Sequence, residues 1–293
     1  MKFSFQSMNA VDSSDDRLKR PVQELPFDEV IKISFHLYQA KFVDFFLPFL
    51  IPALLNGIVN AVVSIAEFLP ADPNSFATNP FDLIARFLPP LILSGVIGYI
   101  LHTIASGIAV KYSSDILEKG GAGLGESFNS ALSRLVPLLG AGIASVFLLV
   151  LGFLCFIVPG IILAIMFSLI APAIIIEGAS ALGSLGRSRR LVSKRWGKTF
   201  AVLALILIIQ GIVTSIANAV SGPFGIVSSI IAQVAGAAIQ PILPIATTFL
   251  YYSMVVKERS SAPSQATGQY CSHCGRAIVS EASFCPHCGA RLR

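Results

Sequence analysis

A chain of 293 residues with 13% charged and 54% hydrophobic side chains carries far less charge than the about 25% of a soluble domain, which excludes an ordinary water-soluble enzyme. A net charge of +5 would point a soluble protein toward nucleic acid or anionic lipid. Here the cations gather beside apolar runs and report membrane topology instead. Residues 1–26 are polar, lack the apolar centre of a cleavable signal, and are expected to form a flexible arm closed by Pro26.

Residues 27–42, FDEVIKISFHLYQAKF, place apolar side chains at helical spacing against Asp28, Lys32, His36 and Lys41. That pattern predicts an amphipathic helix at an interface. A spanning helix needs about 20 apolar residues, and six windows qualify, at 43–68, 87–110, 136–158, 161–176, 199–220 and 226–256, the fourth being the shortest. The first window holds Asn56 and Asn60 four apart on one helix face. Such amides bond to a neighbouring helix or line a polar path. The turn-rich loop after it carries no Lys or Arg before Arg86. His102 in the second window is a packing residue or a proton-bearing group. The third and fourth windows meet at Pro159-Gly160 without a polar connector, which predicts a tight turn or a re-entrant pair. Gln210 lies in the fifth window. In the sixth, Pro241 and Pro244 predict a kink near Gln240. Asn56, Asn60, His102, Gln210 and Gln240 together form the candidate polar path.

Between the fourth and fifth windows lies the densest basic segment, with Arg187, Arg189, Arg190, Lys194, Arg195 and Lys198 and no acid among them. These six either anchor the loop at the cytoplasmic face, with Trp196 at headgroup depth, or contact anionic lipid headgroups. Glu177, just before them, is expected to pair with one of the arginines. Of the 21 Lys and Arg, 20 fall on one side of the six-span layout, which places both termini in the cytoplasm. Short amphipathic basic segments at 27–42, 124–134 and 181–198 each precede two spans.

The last 23 residues hold Cys271, Cys274, Cys285 and Cys288 in two Cys-x-x-Cys knuckles. Four thiolates make a closed tetrahedral shell for Zn²⁺, structural rather than catalytic because no position stays open. Gly275 and Gly289 follow each second Cys, where positive φ turns backbone N–H groups toward sulfur. The ten residues between the knuckles suffice for a two-strand hairpin, and a reducing cytosol favours metal over disulfide. Cys155, alone in an apolar run, is an inert packing residue. Residues 258–269 are a tether of small polar residues. Arg276, Arg291 and Arg293 are too few to argue for nucleic acid.

The runs EVIKISFHLYQAKF, LGESFNSALSRLVPLL and PGIILAIMFSLIAPAIIIEGASALGSLGRSRRLVSKRWGKTF resemble the six-span membrane domain of the glycerophosphoryl diester phosphodiesterase membrane-domain family. The order Pro159-Gly160, Pro172, Glu177, Arg187-Ser188 and Trp196 carries the likeness. It implies a six-helix bundle with both ends inside and no catalysis, because the family's catalytic domain is a separate unit that is lacking here. The tail resembles the short zinc ribbons found at protein termini, with Tyr270 and Phe284 beside the knuckles.

The expected fold is an all-α polytopic membrane protein: six transmembrane helices with interfacial amphipathic helices, plus a small C-terminal zinc ribbon. Its units are an arm at 1–26, the membrane domain at 27–257, a linker at 258–269 and the ribbon at 270–293. The expected role is a non-enzymatic scaffold or adaptor in a prokaryotic plasma membrane, with the ribbon recruiting a protein. The alternative is a transporter or channel for a small solute or lipid. No nucleophile, base and metal constellation for a lipid hydrolase is visible.

Overall fold

A computed structural model describes residues 20, 21, 23–68, 81–221, 226–261, 271, 273, 274, 284 and 287–291. Among them every extended element is a helix: α1 Phe27–Ala40, α2 Phe42–Phe68, α3 Phe81–Lys119, α4 Leu124–Ser133, α5 Leu135–Cys155, α6 Ile157–Met166, α7 Ile170–Glu177, α8 Ala181–Ser193, α9 Trp196–Ser221, α10 Ile226–Ala237 and α11 Ile242–Ser261. Six stretches are long and apolar enough to cross a bilayer: Phe42–Val59, Ile92–Lys119, Leu135–Cys155, Ile157–Glu177, Trp196–Val220 and Ile230–Glu258. The fourth is built from α6 and α7, the sixth from α10 and α11.

Proline decides where these helices restart. α5, α6, α7 and α11 begin Leu-Val-Pro, Ile-Val-Pro, Ile-Ala-Pro and Ile-Leu-Pro, so Pro137, Pro159, Pro172 and Pro244 all stand third in their helix. In the first turn an N–H has no intrahelical acceptor, so proline loses nothing there. One turn earlier its ring would strike a carbonyl, which disfavours continuing the preceding helix, although α2 runs through Pro48 and Pro52.

Two sequence expectations change in detail. The reversal between the third and fourth spans falls at the extended residue Phe156 rather than at Pro159-Gly160. The two helices then touch at glycines, since a Cβ on Gly152 would lie 3.1 Å from the Gly160 Cα. The second span does not end at Val110. α3 runs unbroken to Lys119 because Asp115, 1% exposed, takes both Lys111 at 2.8 Å and Lys119 at 3.0 Å on one carboxylate oxygen. The i, i+4 spacing on both sides of Asp115 holds that last turn.

The centre of the bundle is α11, packed by α1, α3, α7, α8 and α9, with Ile245, Ala246, Phe249 and Leu250 fully buried. α10 packs on α2 and α9 instead. α1 lies lengthwise against α11: the Leu25 N–H donates to Ser253 Oγ at 3.0 Å, and the Tyr38 hydroxyl donates to the Ala238 carbonyl. Burial pushes the Tyr38 phenol up to about 12, so it remains a donor. The outward faces of the spans are apolar, with Val136, Leu154 and Val220 well exposed, as a lipid-facing surface requires.

Candidate functional site

The charged end of the bundle is a mesh of ion pairs rather than a free basic patch. Arg187 donates Nε to Glu177 Oε2 at 2.8 Å, Nη2 to Glu177 Oε1 at 2.7 Å, and Nη1 to Glu258 Oε2 at 2.5 Å. These carboxylates, Glu177 foremost, hold the guanidinium protonated more firmly than usual. The planar fork of arginine suits two acids at once, which a lysine could not copy. Arg190 reaches the other oxygen of Glu258 at 3.4 Å. Arg195 and Lys198 share Glu24, at 2.8 and 3.4 Å, and Lys198 also donates to the Leu25 carbonyl. Of the six cations proposed for lipid headgroups, then, Arg187, Arg190, Arg195 and Lys198 have acids inside the protein. Arg189 and Lys194 are exposed, with no ion pair among the described residues. The docking of Glu24 and Leu25 also ties down the end of the expected flexible arm.

Ser188, next to Arg187, repairs the broken fourth span. Pro172 ends α6 and leaves a turn at 167–169. There the Leu169 N–H donates to Ser188 Oγ at 3.1 Å, and the Ser188 hydroxyl donates to the Met166 carbonyl at 2.6 Å. The broken sixth span is repaired likewise. At the turn 238–241 the Ala238 carbonyl accepts from Tyr38, and the Ile239 carbonyl accepts from Gln210 Nε2 at 3.3 Å. An unpaired backbone group away from water is costly, so these side chains are what permit two interrupted helices inside one bundle.

Between the two broken helices lies a cleft of about 520 Å³, walled also by α3 and α9. It brings together three members of the candidate polar path, His102, Gln210 and Gln240, with Ser106, Ser168 and Thr247. Asn56 is elsewhere, at the α2–α3 contact, where a Cβ on Gly98 would lie 3.1 Å from its Oδ1. The side chain of Asn60 lies outside the described residues. Ser168 was not anticipated from the sequence, and Pro172 four residues later is the signal that marks it.

In the tail, the Cys271, Cys274 and Cys288 sulfurs all lie within 4.8 Å of one another, and Cys271 Sγ to Cys288 Sγ is 3.7 Å. Zinc–sulfur bonds of about 2.3 Å in a tetrahedron give sulfur separations of about 3.8 Å, whereas a disulfide needs about 2.05 Å. The spacing fits a metal. Backbone N–H groups of His273 and Cys274 bond to the Cys271 sulfur and hold its thiol below the usual range, which favours the ligating thiolate. Gly289 has φ +71°, the left-handed turn expected after the second Cys of a knuckle. Phe284 and Arg291 form an antiparallel bridge that brackets the second knuckle, and the hairpin expected between the knuckles falls on residues 275–283, outside the described residues. Cys285 and Gly275 lie outside the described residues.

Residues 270–292 are a zinc-ribbon domain. That stretch matches the family described as a zinc-ribbon domain, and residues 121–260 match the family described as Domain of unknown function (DUF7847). No curated protein and no solved structure matches the chain. The domain matched over the membrane helices is thus one without an assigned role, and the likeness to the phosphodiesterase membrane domain finds no counterpart in these matches. Cys271, Cys274 and Cys288 are the described residues that would hold the metal. When bound, zinc locks the two knuckles together and gives the ribbon its fold.

Proposed function

We propose that this chain is a non-enzymatic membrane scaffold or adaptor, seated in a prokaryotic plasma membrane with both termini cytoplasmic, whose zinc ribbon recruits a protein partner. The thiol cluster carries the reading. A set of sulfurs at tetrahedral spacing, with a fourth Cys-x-x-Cys thiol in the same ribbon, leaves a bound ion no open position for chemistry. What remains to such a module is a folded surface. The membrane bundle supports an anchoring role, since its charged end is locked by internal ion pairs. Kinship with the glycerophosphoryl diester phosphodiesterase membrane-domain family, carried by the runs quoted above, belongs to the same proposal.

Site-specific crosslinking from ribbon positions of the full-length protein in its native membrane tests this. One protein captured at near-equal stoichiometry, and lost with Cys271→Ser, is expected. An identical crosslink pattern from wild type and Cys271→Ser would count against recruitment, as would a reporter after Arg293 that faces outward.

The cleft favours a second reading, a transporter or channel, because interrupted helices facing a cavity are a recurring design of transport sites. Solute flux in proteoliposomes that disappears with Gln240→Leu would favour it over the adaptor reading.

A further inference from the structure

The cleft has a chemistry of its own, independent of whether anything passes through the protein. Among the described residues no Asp, Glu, Lys or Arg lines it. Its volume of about 520 Å³ falls within the range of about 300–1,000 Å³ typical of small-ligand sites. It is long rather than round. Its lining along α9 runs from Phe200 to Gln210, ten residues or about 15 Å of helix. Phe153, Ile161, Leu203 and Leu243 make most of its wall apolar.

Its outer rim is open to the side. Phe153, Phe200 and Leu207 are 48%, 42% and 54% exposed, and all three lie within spanning segments. At that depth an exposed side chain faces hydrocarbon rather than water. A ligand therefore arrives from the bilayer.

Water filling a gap between broken helices is the simpler alternative, but both breaks have already been mended from within the protein. Ser188 serves the turn at 167–169, and Tyr38 and Gln210 serve the turn at 238–241. The polar group left over is the side-chain amide of Gln240, which lines the cleft and has no hydrogen-bond partner among the described residues. His102 adds a ring whose Nδ1 is 3.3 Å from Ser106 Oγ, leaving Nε2 available. A donor–acceptor amide and an imidazole at the wall of a long apolar slot match one hydroxyl or ester group on a chain.

We propose that this cleft binds one uncharged long-chain amphiphile taken laterally from the membrane, with its hydroxyl or ester head on Gln240 and His102 and its chain along α9. A carboxylate or phosphate head is disfavoured because no cation among the described residues lines the slot to offset its desolvation.

Full-length protein in nanodiscs, photolabelled with a diazirine monoacylglycerol and, in parallel, with a diazirine fatty acid ionised at pH 8, tests the proposal by peptide mapping. Labelling by the monoacylglycerol is expected to saturate, to map to the cleft-facing turns of α6, α9 and α11, and to be competed by unlabelled monoolein. Gln240→Leu should weaken that saturable labelling about tenfold, the effect of one lost hydrogen bond. Ala204→Phe, which fills the slot, should abolish it, while Leu154→Phe on the outer face leaves it unchanged. Three outcomes would each overturn the proposal: unsaturable labelling spread over all lipid-facing helices, saturable labelling by the ionised fatty acid of equal strength, or labelling indifferent to both Gln240→Leu and Ala204→Phe. Gel filtration of each variant identifies any that fails to fold. Gln240→Leu, a change in a turn, keeps the test decisive if Ala204→Phe does fail.

Discussion

Arg187 clasps Glu177 through two parallel hydrogen bonds, at 2.8 and 2.7 Å, and extends its remaining arm to Glu258 at 2.5 Å. One side chain on α8 thereby ties the end of the fourth span to the end of the sixth. Arg187→Lys keeps the charge but not the fork, and should lower stability by about 1–3 kcal/mol, less than for a fully buried pair because the acids are partly exposed. Thermal melting in detergent checks this, with a drop of about 2–4 °C per kcal/mol expected at this chain length. A double-mutant cycle with Glu177→Gln should show coupling. Strict additivity would mean that the contact contributes nothing.

Ser188→Ala should be costlier than its size suggests. It leaves the Leu169 N–H and the Met166 carbonyl without partners at a buried turn, each worth about 1–3 kcal/mol. Ser184 is as buried on the same helix, yet its hydroxyl only bonds back to Ala181 at 2.7 Å. Ser184→Ala should change the melting midpoint little. Equal effects from the two alanines would show that the repair of the broken helix contributes no stability.

Tyr38→Phe and Gln210→Leu should each loosen the turn at 238–241, by freeing the Ala238 and Ile239 carbonyls. Amide hydrogen exchange over residues 238–245 reports it, with protection reduced in either variant while α5 and α6 keep theirs. Unaltered protection in both would indicate that water or lipid headgroups serve those carbonyls instead.

Glu24 gives the docked arm a pH dependence. Burial pushes its carboxyl upward, but Lys198 and Arg195 outweigh that and leave it below its ordinary value. A carboxyl lowered in the folded state stabilises above its unfolded pKa, and the contribution is lost as pH falls through the lowered value. Emission from Trp196, the one tryptophan and the neighbour of Arg195, should therefore change below about pH 4.3, and not near neutrality. Glu24→Gln should remove that transition.

Zinc should be present at one ion per chain in purified full-length protein, by elemental analysis, and Cys288→Ser should abolish it without altering the melting of the membrane bundle. Full zinc retention in Cys288→Ser would mean that another side chain completes the site.

The spans were legible in the sequence because a bilayer imposes a length and bars charge. The knuckles were legible because four thiols in so short a tail have few other uses. Breaks in the spans were legible only where prolines cluster, at Pro241 and Pro244. An apolar pair followed by Pro also stands at Pro137, Pro159 and Pro172, where helices open, but the same pattern at Pro48, Pro52 and Pro89 lies inside α2 and α3, so it does not by itself place the reversal at Phe156. Lys111, Asp115 and Lys119 are spaced four apart, so the longer α3 was readable too. The ion pairs were another matter. Glu177 was expected to pair with one of the arginines and Arg187 takes it, but Glu258 and Glu24 stand 71 and 171 residues from Arg187 and Arg195, and no local pattern announces those pairings. A run of six cations without an acid looks like a free patch until the chain has closed on itself.

That closure has a bearing on how the protein is made. The groove for α1 lies on α11, so α1, made before any of the six spans, must wait for the sixth before its apolar face is covered. A truncated product ending before Ile242 would present that face bare, a ready mark for the proteases that clear unfinished membrane proteins.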